Sequence, residues 1–259
     1  MHYGILKKVN PIDVYKKLPR NNCGKCSAST CMSFAVQFLR KMITLSECPL
    51  VDEASKKEIE AMLSKEGDWK ERRLEELFDE IADLNFSDIA AKLGAEAEGN
   101  LLNINYMGKK ISLNHTKVGE DLDILDKLLI LIYVKRAGKS PMTGKWVAFR
   151  ELKDGIVRAE SFNGACELAI AGMFEHDSQG LLDKMNIVGA QKVSGYSAPH
   201  SFVVYPLPKV PFLLFLWPGD EEFGSECKIL FNSTADEYLD IETLLYLGIA
   251  LVRALGAGH

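Results

Sequence analysis

Four cysteines near the start of the chain are the residues best placed to do chemistry. Cys23, Cys26, Cys31 and Cys48 all fall within residues 18–49, LPRNNCGKCSASTCMSFAVQFLRKMITLSECP. The spacing is C-x2-C-x4-C, then Cys48-Pro49 after sixteen residues. Four thiolates are the ligand set of a [4Fe-4S] cluster, and two cysteines separated by two residues reach adjacent irons from one turn of backbone. Gly24 lies between the first two, where a tight turn and backbone amides aimed at cluster sulfurs are useful. Tetrahedral zinc takes the same four donors and is the rival. Zinc sites usually pair two short Cys-x2–4-Cys elements, whereas a lone Cys-Pro as the last element is an iron–sulfur habit, so the spacing favours the cluster.

The surrounding elements must hold these thiols in place. Residues 11–18 (PIDVYKKL) read as one or two helical turns, with Ile12, Val14 and Tyr15 on one face, ending at Leu18-Pro19. Ser29 or Thr30 is placed to cap a helix from Cys31 to about Met42, with an apolar stripe of Met32, Phe34, Ala35, Phe38, Leu39 and Met42. Arg40 and Lys41 would sit in its last turn, suited to the helix dipole. Two further helices are expected, 53–65 and 69–84, broken at Gly67-Asp68. The boundary between modules is placed near 50–67, giving a cluster module at 1–60 and a main domain at 68–259.

Beyond it the pattern mixes helices with short strands. Residues 85–94 suggest a short helix. Residues 101–106 and 110–114 alternate around a Met107–Lys109 turn and read as a β-hairpin. Helices are expected at 121–135, at 164–185 with an interruption near 178–180, and at 241–255. Strands are expected at 146–152, 192–204, 210–217 and 226–231. Without regular strand–helix alternation the fold class is α+β, a small helical [4Fe-4S] module followed by a mixed domain with antiparallel strands.

Composition excludes several classes of function. The 259 residues carry a formal net charge of -5, which argues against a general nucleic-acid binder. No signal segment is read at the N-terminus, and no apolar run approaches the ~20 residues that span a bilayer. Six cysteines, four of them clustered at ligand spacing in a chain able to bury a core, suit a reducing compartment, so a cytoplasmic location is expected.

The N-terminal pattern resembles a known family. Leu18, Pro19, Asn22, Cys23, Gly24, Cys26, Thr30, Cys31, Met32, Phe34, Ala35, Cys48 and Pro49 are similar to the four-iron module of the corrinoid iron–sulfur protein large subunit, a protein of anaerobic acetyl-CoA metabolism. Ser27 departs from it, since a glycine often follows the second cysteine. The resemblance covers about a fifth of the chain. The remainder resembles a domain family of unknown function found in anaerobes, on the stretch 208–239 (PKVPFLLFLWPGDEEFGSECKILFNSTADEYL). In the corrinoid family the cluster passes electrons to a cobalt corrinoid and restores Co(I). The resemblance implies that the second domain binds cobalamin or another corrinoid, or docks a protein that does.

Direct support for a corrinoid site is thin. The signature D-x-H-x-x-G is not met by Glu175-His176-Asp177-Ser178-Gln179-Gly180, where the His–Gly spacing is one residue too long. His176 remains a candidate axial ligand, with a surface or capping role as the bland alternative. His200, entering a strand, is a candidate at a pocket mouth. Ser194, Gly195 and Tyr196 are candidates to meet the amide side chains of a macrocycle, although turn duty is the default. Phe212, Phe215 and Trp217 would form an apolar wall, against the simpler reading of a buried or edge strand with proline-stiffened ends. Asp220, Glu221 and Glu222 offer three carboxylates, but consecutive turn residues point apart, so a solvated loop is the better reading. Cys166 and Cys227 read as buried small hydrophobes.

The expectation is therefore an electron-transfer or corrinoid carrier protein more than a stand-alone enzyme. Its cluster would reduce cobalt towards Co(I) for methyl transfer or reductive activation. Its partners would be a redox protein or a methyltransferase. The alternatives are a ferredoxin-like adaptor whose second domain docks a redox enzyme without corrinoid, and a cluster with only a structural role.

Overall fold

The computed structural model describes residues 9–39, 42–138 and 140–256, without the side chains of 64–68. The chain divides into two compact units, 1–73 and 74–259.

The first unit is helical. Helix α1 (Pro11–Tyr15) is short but well started. Asn10 Oδ1 accepts from the Ile12 and Asp13 amides, Asp13 returns a bond to the Asn10 amide, and Pro11 occupies the first turn, where its missing N–H costs nothing. Val14 and Leu18, four residues apart, turn inward, while Ile12 is 55% exposed instead of sharing the buried face. Helix α2 (Cys31–Leu39) is capped by Thr30, whose hydroxyl accepts from the Ser33 amide at 3.0 Å. Phe34 and Ala35 are its buried contacts. Met32 and Met42 lie outside the core, so the apolar stripe is narrower than expected, and Arg40 and Lys41 fall outside the described residues.

A 3₁₀ turn (Leu45–Glu47) leads to Cys48, and helix α3 (Glu53–Ile81) follows without a break. The expected interruption at Gly67-Asp68 is absent. A single glycine costs only ~1 kcal/mol in a helix, and strong helix formers flank this one on both sides. Val14, Leu18, Phe34, Ala35, Leu45, Val51 and Ile59 build a core in which Cys31 and Cys48 are themselves buried.

The second unit is α+β. Helix α4 (Phe86–Leu93) is capped by Asn85 and stopped by Gly94. Three antiparallel strands follow, β1 (Glu96–Glu98), β2 (Leu101–Tyr106) and β3 (Lys109–Leu113). The β2–β3 turn, Met107-Gly108, has φ of 50° and 78°, the left-handed pair that matches strand twist. Gly108 is needed twice over, because a Cβ there would also meet the Val188 backbone at 2.8 Å. Helix α5 (Ile124–Arg136) leads to β4 (Trp146–Ala148). Helices α6 (Ala159–Phe162), α7 (Leu168–His176) and α8 (Ser178–Ile187) follow, with a π-helical turn at Asn163–Glu167 and Asp177 capping α8.

The main sheet is antiparallel, in the order β4–β8–β7–β6–β5. Its other strands are β5 (Gln191–Lys192), β6 (His200–Leu207), β7 (Val210–Trp217) and β8 (Glu226–Asn232). The strand expected at 192–204 is two strands separated by a loop at 193–199, where Gly195 takes a φ of 92°. Helices α9 (Ala235–Tyr238) and α10 (Ile241–Gly256) close the fold. Stacked Phe149 and Phe162, 4.3 Å apart, meet Phe231 edge-on, and Phe231 meets Phe212. No described helix is long and apolar enough to cross a membrane.

Candidate metal centre

All four clustered cysteines line one concavity, partly open to solvent. Leu18, Asn21, Asn22, Gly24, Ala28, Ser29, Thr30 and Phe34 complete its wall. Their exposure is graded. Cys23 is exposed, Cys26 is half-buried, and Cys31 and Cys48 are 8% and 6% exposed. Cys31 opens α2 and Cys48 ends the 3₁₀ turn, so both inner thiols are fixed by regular structure, whereas the outer two ride on the loop. Among the described residues no three His, Cys, Asp or Glu side chains converge on a single metal-ion position.

Two side chains tie this loop together. Asn22 Oδ1 accepts from the Cys31 amide at 2.9 Å, fixing the loop to the start of α2. Glu47 accepts from the Thr44 amide at 2.8 Å and from the Ser27 hydroxyl at 3.0 Å, which joins the segment of Cys26 to that of Cys48 across twenty residues. Ser27, the departure from the family pattern, thus has a use here, and its φ is not positive, so the position does not require glycine. Thr44 and Glu47 have the spacing of a capping box, the local signal that could have marked Glu47, whereas its bond to Ser27 joins residues far apart in the chain.

The backbone is also unusual. Arg20, Asn22 and Gly24 have φ of 58°, 46° and 69°, alternating with residues that do not. Such alternation is the backbone pattern of nests, in which successive amides suit negative charge, as at many iron–sulfur sites. Four thiols on one concavity with buried apolar Leu18, Ala28 and Phe34 in its wall suit an anionic thiolate cluster.

The second unit treats its candidates differently. Cross-strand pairs in the main sheet place His200, Phe202, Val204, Phe212, Leu214 and Leu216 on one face. Phe215 and Trp217 are on the other, where Tyr196 meets Phe215 at 4.9 Å. Phe212 is fully buried against Phe231 and does not join Phe215 and Trp217 in one wall. Its three-residue separation from Phe215 carried that signal, since strand side chains alternate with period two. His200 packs edge-on against Phe174, and His176 is exposed at the end of α7. Ser194 and Gly195 are exposed in the 193–199 loop. Phe212 and Trp217 thus lie on opposite faces of the main sheet.

The acidic run is a capped turn in which Asp220 accepts from the Glu222 and Phe223 amides, bonds that hold its carboxyl below the usual range. Burial pushes the Cys166 thiol up to about 12 and also raises that of Cys227, which is half-buried instead of buried as expected, so both stay neutral. Glu167, missed by sequence reasoning, is 2% exposed and accepts from the Ile229 amide and from Lys228, covering β8 where β4 does not pair with it.

Fold and site together define a protein with a four-thiol N-terminal module and an antiparallel α+β domain. Residues 18–50 match a family model described as "Putative Fe-S cluster". The chain belongs to the family described as Domain of unknown function (DUF3786), whose model matches residues 85–254. The chain is 39% identical over 57 residues to an acetyl-CoA decarbonylase/synthase complex subunit gamma of Methanothermobacter thermautotrophicus, covering 22% of this chain and 12% of that protein. The subunit gamma of Archaeoglobus fulgidus is 38% identical over 99 residues, 35% of this chain and 19% of its own length. The corrinoid/iron-sulfur protein large subunit of Moorella thermoacetica is 36% identical over 50 residues, 19% of this chain and 11% of its own. The chain thus spans less than a fifth of the length of each of these relatives. No solved structure matches.

Proposed function

We propose that the protein is an electron carrier that holds a [4Fe-4S] cluster on Cys23, Cys26, Cys31 and Cys48 and serves a corrinoid-dependent partner. The observation that carries this reading is that the four cysteines, dispersed over residues 23–48, line a single concavity. When bound, such a cluster supplies one reversible electron. The chain's own part is to fix the thiolates, to exclude water from the Cys31 and Cys48 side, and to aim backbone amides at the sulfurs, which raises the potential.

The names of the matched relatives support a corrinoid as recipient. The opposed faces of Phe212 and Trp217 favour docking of a corrinoid protein over holding the macrocycle within this chain. The same facts admit a ferredoxin-like adaptor that serves a redox enzyme without corrinoid.

Anaerobic reconstitution tests the first part. About four irons per chain, with broad blue-region absorption bleached by dithionite, are expected. One tightly held zinc in the native protein, with no iron uptake, would replace the cluster reading. Gel filtration with cobalamin tests the second part. Elution without cobalamin fits docking, and stoichiometric retention would overturn it in favour of a corrinoid-holding domain.

A further inference from the structure

The concavity has a defined outward edge. Cys23 is exposed while Cys31 and Cys48 are buried, so anything exchanging electrons with the site approaches from the Cys23 side. Two cations lie within three residues of Cys23 in the chain. Arg20 and Lys25 are exposed and, among the described residues, make no hydrogen bond or ion pair. No carboxylate occurs between Leu18 and Cys31, and Glu47 is engaged by Ser27 and Thr44. This stretch therefore carries two uncompensated positive charges in a chain of net charge -5.

Arg20 holds its place at a cost. Its φ of 58° is a conformation that glycine or asparagine adopts more cheaply, and such strain gathers at working sites.

We propose that the Cys23 edge is the electron port, and that Arg20 and Lys25 steer to it a redox protein with acidic side chains around its own centre. The proposal rests on the cluster reading above. One electron passes per encounter, the donor is oxidised by one and this protein reduced by one, and no proton or atom is transferred. The two charges act within the ~8 Å screening length of physiological salt, so they govern encounter more than lifetime.

The test uses the full reconstituted chain, with a pre-reduced, acidic bacterial ferredoxin as probe. The double variant Arg20→Asn with Lys25→Gln removes both charges, and asparagine tolerates the positive φ at position 20. At low salt its second-order rate with the ferredoxin should fall about tenfold, and calorimetry should show weaker binding. Added salt should slow the wild type to the level of the variant. Lys57→Gln with Lys70→Gln, an equal loss of two positive charges on α3 at residues that do not line the concavity, should leave the rate unchanged. Iron content and dithionite reduction should be the same in all three proteins. Wild-type rate and salt dependence in the double variant would overturn the port while leaving the electron carrier standing. Dithionite reduction without transfer from the ferredoxin in the wild type would overturn an acidic partner. Absence of iron or of dithionite reduction would overturn the carrier reading itself.

Discussion

The two units of this protein use the same residue type in opposite ways. In the first, four cysteines ring a concavity that is open on one side, and two of them form part of the local core. In the second, Cys166 lies fully buried behind α10, close enough that a side chain at Gly248 would strike its sulfur, and its thiol stays protonated. Cysteine suits ligand duty where several thiols share one open cavity, and acts as a small apolar filler where it is packed among hydrocarbon, as Cys166 is. Size deepens the contrast. The first unit has 73 residues, few enough that a core of this kind supplies only ~3–5 kcal/mol, and such domains commonly lean on a metal. The second unit has a five-stranded sheet and buried helices to stand on.

The largest test of the contrast exchanges ligands for serine. Cys31→Ser should take reconstituted iron from about four per chain to near zero, whereas Cys227→Ser should leave it unchanged. Iron loss in the Cys227 variant would mean that the two sets are not separate.

Stripping the iron anaerobically comes next. The first unit should lose on the order of several kcal/mol and its helical signal, while the melting of the second unit stays within error of the loaded protein. Hydrogen exchange resolves the two units, and uniform loss of protection would break the comparison.

A pH series on the second unit follows. The Cys166 thiol ionises at about 12 in the folded chain against 9.0 for an ordinary thiol. The unfolded chain therefore gives up this proton first, and the stabilising effect, whole below pH 9, is lost as the pH climbs towards 12. Urea unfolding should show wild type losing up to about 1 kcal/mol per pH unit more than Cys166→Ala across that window. Parallel curves would place the thiol in a less buried setting.

Caps give the smallest effect. Thr30→Ala in α2 and Asn85→Ala in α4 should each cost about 1 kcal/mol, since each side chain satisfies one helix amide. Only the Thr30 change should also quicken iron release to a chelator, because it loosens the helix that begins at Cys31.

Much of the fold was legible from local pattern. The β2–β3 hairpin, β7 and α10 lie within a residue or two of their expected places, because alternation, a Met-Gly turn and a helical apolar stripe are short-range signals. The misses have physical causes. Gly67-Asp68 did not stop α3, since its flanks outweigh one glycine. The strand expected at 192–204 broke because Gly195 and Pro199 interrupt it. Ile12, Met32 and Met42 lie outside the first unit's core, because a small unit buries only a narrow stripe of each short helix.

The sequence by itself determined the ligand candidates, their order and the chemistry that they suit, because thiolate identity and spacing are properties of residue type and local chain length. Tertiary structure decided how those thiols are used. It exposed Cys23 and buried Cys48, clamped Ser27 to Glu47, and set Phe212 against Phe231 while leaving Trp217 on the other face. Each of these joins residues distant in the chain, and burial and partnership arise only when the folded backbone brings them to the same place.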